Sequence, residues 1–66
     1  MITFRVDVEN VPEVRRLADK FVGWFEETDR DDENAWFQIT EYTEGNERII
    51  EMSLDAVIRV YGFTVH

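Results

Sequence analysis

Apolar and polar residues alternate strictly over residues 2–9. Ile2, Phe4, Val6 and Val8 fall on one side, and Thr3, Arg5, Asp7 and Glu9 on the other. A period of two with β-branched residues predicts a strand buried on one face. The period then changes. Asn10-Val11-Pro12-Glu13 reads as a helix start, with Asn10 as cap, Pro12 in the first turn where its missing N–H costs nothing, and Glu13 completing a capping box. Val14, Leu17, Ala18, Phe21 and Phe25 follow at spacings of three and four. This stripe predicts a helix over 11–28, roughly 27 Å long at about 1.5 Å per residue. Gly23 inside it costs about 1 kcal/mol relative to Ala and reads as a point of close approach to the sheet.

Residues 29–34 carry no apolar side chain and read as a polar loop. Beyond it, Gly45-Asn46 suits a two-residue type II′ hairpin turn. That turn sets Ile39 opposite Met52 and Phe37 opposite Leu54. Phe37, Ile39, Ile50, Met52 and Leu54 then share one face, with Trp36, Tyr42 and Ile49 on the other. For the last segment, the β-branched and aromatic residues between Val57 and Val65 favour a strand, bulged at Gly62. The alternative is a short helix over 53–61, because Leu54, Val57, Ile58 and Tyr61 also have helical spacing. The expected fold is therefore a single α+β domain over residues 1–66, a two-layer sandwich of order β-α-β-β-β with one helix on a small mixed or antiparallel sheet. The alternative order is β-α-β-β-α.

Composition narrows the function. Fifteen Asp and Glu against seven Lys and Arg give a net charge of −8, and there is no Cys. A basic nucleic-acid binder, a disulfide scaffold and a thiolate zinc module are excluded on these grounds. The apolar and aromatic content is too high for a disordered chain. No stretch reads as a secretory signal or a membrane span, so the cytoplasm is the expected location.

Candidate chemistry is sparse. Ser53 is the only Ser and His66, the last residue, the only His, so a Ser–His–acid arrangement has no firmly held base. The three glycines are too scattered for a phosphate loop. No cofactor is expected. Asp29, Asp31, Asp32 and Glu33 offer hard oxygen ligands, which makes a divalent-metal-binding regulatory domain one alternative. A calcium loop, however, needs Gly at its sixth position and Glu at its twelfth, where this chain has Asn34 and Thr40.

Two surfaces remain. Glu26, Glu27, Asp29, Asp31, Asp32 and Glu33 crowd the C-terminal end of the expected helix, against its dipole, while Arg15, Arg16 and Lys20 lie in its first half. Such a concentration suits a partner with a basic surface, reached by electrostatic steering, and in its sharper form mimicry of nucleic acid. Acid runs also serve as solvated faces, and a salt-adapted proteome gives the same excess. With one helix, the second face of the sheet is left uncovered. Trp36, Tyr42 and Ile49 on it read as a contact surface, most simply of a homodimer. In size, acidity and lack of catalytic equipment the chain resembles small phage or mobile-element proteins that inhibit host enzymes, by composition only. The expected function is a non-enzymatic protein-binding module, an inhibitor or adaptor that contacts neither nucleic acid directly nor a membrane. A structural subunit of a larger assembly is the further alternative.

Overall fold

In the computed structural model, which describes residues 1–21 and 24–66, the N-terminal alternation forms strand β1 (Ile2–Asp7), with buried and half-buried residues alternating throughout. A short 3-10 turn (Val8–Asn10) leads into α1 (Val11–Ala18). Then come β2 (Trp24–Arg30), β3 (Asn34–Thr40), α2 (Glu47–Asp55) and β4 (Val60–Val65). The sheet order is β2-β3-β1-β4, and every neighbouring pair is antiparallel. Two β-α-β units are thus interleaved, each with a strand of the other between its own two strands. This is ferredoxin-like, split β-α-β connectivity.

Both helices pack on the same side. Ile2, Phe4 and Val6 of β1 and Ala35, Phe37 and Ile39 of β3 form one buried cluster with Val11 and Val14 of α1, Ile50 and Leu54 of α2, and Ile58. At its centre the Phe4 and Phe37 rings stack with centroids 5.6 Å apart, and Phe63 stacks on Phe4 at 6.1 Å. Each fully buried side chain of this size contributes about 1.5–3 kcal/mol by leaving water, and aromatic pairing adds about 0.5–1.5 kcal/mol.

The departures from the expected order have local physical causes. The helix predicted over 11–28 ends at Ala18, and Trp24–Arg30 is a strand instead. Ending there puts Arg15 and Arg16 in the last turn and Glu13 in the first, which is the favourable sense of the helix dipole. Asn10 is the N-cap residue, but its side chain makes no capping bond, and Glu13 pairs with Arg16 at 3.0 Å. The reading of Gly23 as a point of close approach lies outside the described residues. The expected hairpin at Gly45-Asn46 is absent. The hairpin is β2–β3, turning at residues 31–33, so Asp29 and Arg30 belong to β2 and Asn34 to β3 rather than to a loop. Ile39 lies opposite Ile2 and Phe25, not Met52. Residues 47–55 form α2, which buries Ile50 and Leu54 at a spacing of four and leaves Met52 61% exposed. The order is therefore β-α-β-β-α-β. The helical alternative for 53–61 is also incorrect, since the helix starts at Glu47 and ends at Asp55, with β4 beyond it.

The bulge expected at Gly62 is present. Between the pairs Thr3–Thr64 and Arg5–Tyr61, β4 has two residues, Gly62 and Phe63, against the single Phe4 of β1. The extra residue turns Tyr61 away from the core to the side of Arg5 and leaves Phe63 packed inside. Gly62 sits at φ +63°, a left-handed conformation that costs an L side chain about 1–2 kcal/mol, although a Cβ there meets nothing within 4 Å. Gly62→Ala is expected to lower unfolding stability by about 1–2 kcal/mol in a urea titration, with Gly62→Asn costing less. An Ala variant as stable as the wild type would show that β4 does not bulge in this way.

Candidate functional site

The acidic residues singled out by the sequence lie along β2 and its turn into β3, and they divide by role. Strand β2 is an edge strand with a bulge between Glu27 and Asp29. Phe25 and Glu27 face the helices, opposite Ile39 and Phe37. There the Glu27 carboxylate accepts hydrogen bonds from Arg15 of α1 at 3.2 Å and from Nη2 and Nε of Arg30, the former at 2.8 Å. The Glu27 side chain is only 15% exposed. The hydrogen bonds from Arg30 hold its carboxyl below the ordinary glutamate range against the opposing effect of desolvation, with Arg15 adding to the shift. Glu27 is thus a clasp between β2 and α1 and is not offered to a partner.

Asp31 is also used internally. Its Oδ1 accepts the backbone N–H groups of Glu33 at 2.8 Å and Asn34 at 2.7 Å, an Asx-type turn that shapes the β2–β3 connection. These two bonds hold its carboxyl below the usual aspartate range. Glu26 accepts a hydrogen bond from Gln38 at 3.1 Å, and Asp29 accepts one from the backbone of Arg30 at 2.8 Å. Both stand on the helix-free side of the sheet, paired with Gln38 and Trp36.

Asp32 and Glu33 are exposed at the tip of the hairpin. The Glu33 carbonyl accepts the backbone N–H of Val8 at 2.8 Å, which ties the tip to the end of β1. Asp7 and Glu9 consequently join Asp32 and Glu33 around a shallow depression of about 250 Å³. The sequence reading missed Asp7 and Glu9. They occupy the polar phase of the first alternation, and only the antiparallel pairing of β1 with β3 brings them to the hairpin end. Among the described residues no three carboxylates or imidazoles converge closely enough to hold a metal ion.

The residues expected on the uncovered sheet face do not stay together. Trp36 is there, opposite Arg5 and Asp29. Tyr42 packs against the core cluster, with its hydroxyl 3.4 Å from the Met1 amino group, and Ile49 is exposed on α2. Both misplacements follow from the absent hairpin. In their place the face carries Tyr61, Arg5, Gln38, Thr3, Thr28 and the 63% exposed Trp24. The Arg5 guanidinium lies 4.4 Å above the Tyr61 ring, and Arg59 lies 5.4 Å from the same ring. A groove of about 450 Å³ runs between Arg5, Trp36 and Tyr61, and the buried Arg5 Nε has no hydrogen-bond partner. His66 is hydrogen-bonded to the N-terminal end of the chain. Its Nε2 is 3.0 Å from the Thr3 hydroxyl, and its backbone N–H donates to Met1 at 2.7 Å.

No protein-family model, no curated protein and no solved structure matches this chain. No helix among the described residues is long and apolar enough to cross a membrane.

A carboxyl whose folded value is depressed stabilises the fold above its unfolded value, and this stabilisation is lost as the pH falls through the folded one. Glu27→Gln is therefore expected to cost about 1 kcal/mol at neutral pH, the upper end for exposed ion pairs. It should also flatten the loss of stability on acidification, followed by urea midpoints from neutral pH down through the carboxylate range. Parallel pH profiles for wild type and variant would show that Glu27 is not the clasp.

Proposed function

We propose that this chain is a non-enzymatic protein-binding module, an acidic inhibitor or adaptor that docks its hairpin end on a basic partner surface. The observation that carries this reading is the bond from Val8 N–H to Glu33, which gathers Asp7, Glu9, Asp32 and Glu33 from two distant chain segments into one negative end. Like charges placed together repel, and a fold that accepts this repulsion gains a field that steers a cationic surface toward it. Asp31 supports the same purpose indirectly. By fixing the turn through two backbone hydrogen bonds it holds the tip in shape before contact, so little ordering entropy is lost on binding. Glu26 and Asp29 extend the negative charge along β2. The sharper form of the reading is that these carboxylates occupy phosphate positions in a nucleic-acid-binding groove.

The test is capture of partners from lysate on immobilised protein, compared with a Glu9→Lys, Asp32→Lys, Glu33→Lys variant. The wild type is expected to retain basic proteins that elute as salt screens the contact, and the variant to lose them while its melting profile is kept. Displacement of those proteins by duplex DNA supports mimicry. Equal capture by both proteins would discard the acidic end as the docking element.

A further inference from the structure

The helix-free face has a symmetry that the acidic end does not explain. The pairing registers place Asp29, Trp36, Arg5 and Tyr61 in one row across β2, β3, β1 and β4. A second row holds Glu26, Gln38, Thr3 and Thr64. Acid lies on the β2 side of both rows. The cations Arg5 and Arg59 lie on the β1–β4 side, both against Tyr61.

We propose that this face is closed by a second copy of the chain, related by a two-fold axis that runs along the strands between β1 and β3. Such an axis exchanges the two ends of each row and keeps the height along the strands. Asp29 of one copy then meets Tyr61 and Arg59 of the other, Trp36 meets Arg5, and Gln38 meets Thr3. The Trp36–Arg5 contact sets a cation on an aromatic ring twice per dimer. It also brings polar groups of the facing copy over the groove where Arg5 Nε has no partner. An axis across the strands sets β2 against β2, so that the acids Glu26 and Asp29 of one copy face those of the other, and is disfavoured by like charge. The same acids and the net charge of −8 argue against single-stranded nucleic acid on this platform. Stacked sheets lie about 10 Å apart, a gap that side chains of the size of Trp36, Tyr61 and Arg5 fill from both sides. A domain of this size buries only about 60% of its unfolded surface, which makes association a common source of added stability. The proposal does not rest on the basic-partner reading, because Glu9, Asp32 and Glu33 take no part in the rows.

Sedimentation equilibrium of the full chain from low to high micromolar concentration tests it. The wild type is expected to be a reversible dimer. Asp29→Arg, which sets Arg against Arg59 of the facing copy, is expected to raise the dissociation constant about tenfold or more, as is Trp36→Ala. The double variant Asp29→Arg, Arg59→Glu restores the opposite charges and is expected to recover most of the lost affinity. Asp29 and Arg59 are exposed and Trp36 is half-buried, and circular dichroism verifies that each variant is folded. A wild type that stays monomeric at high micromolar concentration overturns the proposal. So does a dimer that ignores both Asp29→Arg and Trp36→Ala, since that dimer joins through another surface.

Discussion

The burial of Phe4 between Phe37 and Phe63 is the contact around which this fold is arranged. It lies on the central strand pair, and it fixes which side of the sheet is dry. A chain of 66 residues has enough large apolar side chains to seal one face of a four-stranded sheet and not two. Once Phe4 and Phe37 point one way, the period of two sends Arg5 and Trp36 the other way, and both helices must cover the phenylalanines. The half-exposed aromatic and charged platform is the counterpart of the sealed core. The β4 bulge adds to this platform, because without the extra residue Tyr61 would stand opposite Val6 and face inward.

The two sheet edges are treated differently. Strand β2 carries Glu26, Glu27, Asp29 and Arg30 and a bulge of its own, features that discourage pairing with a foreign strand. Part of the acidity first attributed to recognition therefore has a structural purpose. Glu27 clasps α1, Asp31 builds a turn, and Glu26 and Asp29 charge an edge. The recognition proposed above is assigned to the smaller set at the hairpin end, Asp32 and Glu33, joined there by Asp7 and Glu9.

The N-terminal strand, the start of α1 at Val11-Pro12, the α+β class and the bulge at Gly62 were legible in the sequence because each rests on local chemistry. The extent of α1 was not. Phe21 and Phe25 continue its helical spacing by coincidence, and Phe25 in fact follows the strand period with Glu27. A warning was present in the charges. A helix over 11–28 sets Glu26, Glu27 and Asp29 against its dipole, whereas one ending at Ala18 has Arg15 and Arg16 in its last turn. That conflict marked the helix end rather than a functional field. Residues 47–55 misled for a related reason. Ile50, Met52 and Leu54 fit a strand at spacing two, and Ile50 and Leu54 fit a helix at spacing four. Only the tertiary demand for a second cover over Phe4 and Phe37 decides between them. Trp36 was placed on the right face, while Tyr42 and Ile49 were carried to it by a hairpin that does not form.

One-sided burial with α2 as the second cover is the claim on which both surfaces depend. Paramagnetic relaxation by a soluble gadolinium chelate, read residue by residue by nuclear magnetic resonance on dilute protein, tests it directly. The account requires strong relaxation of the side chains of Trp36, Tyr61 and Met52 together with protection of Phe37, Ile50 and Leu54. Protection of Trp36 and Met52 in a dilute monomer, with Ile50 exposed, would contradict it.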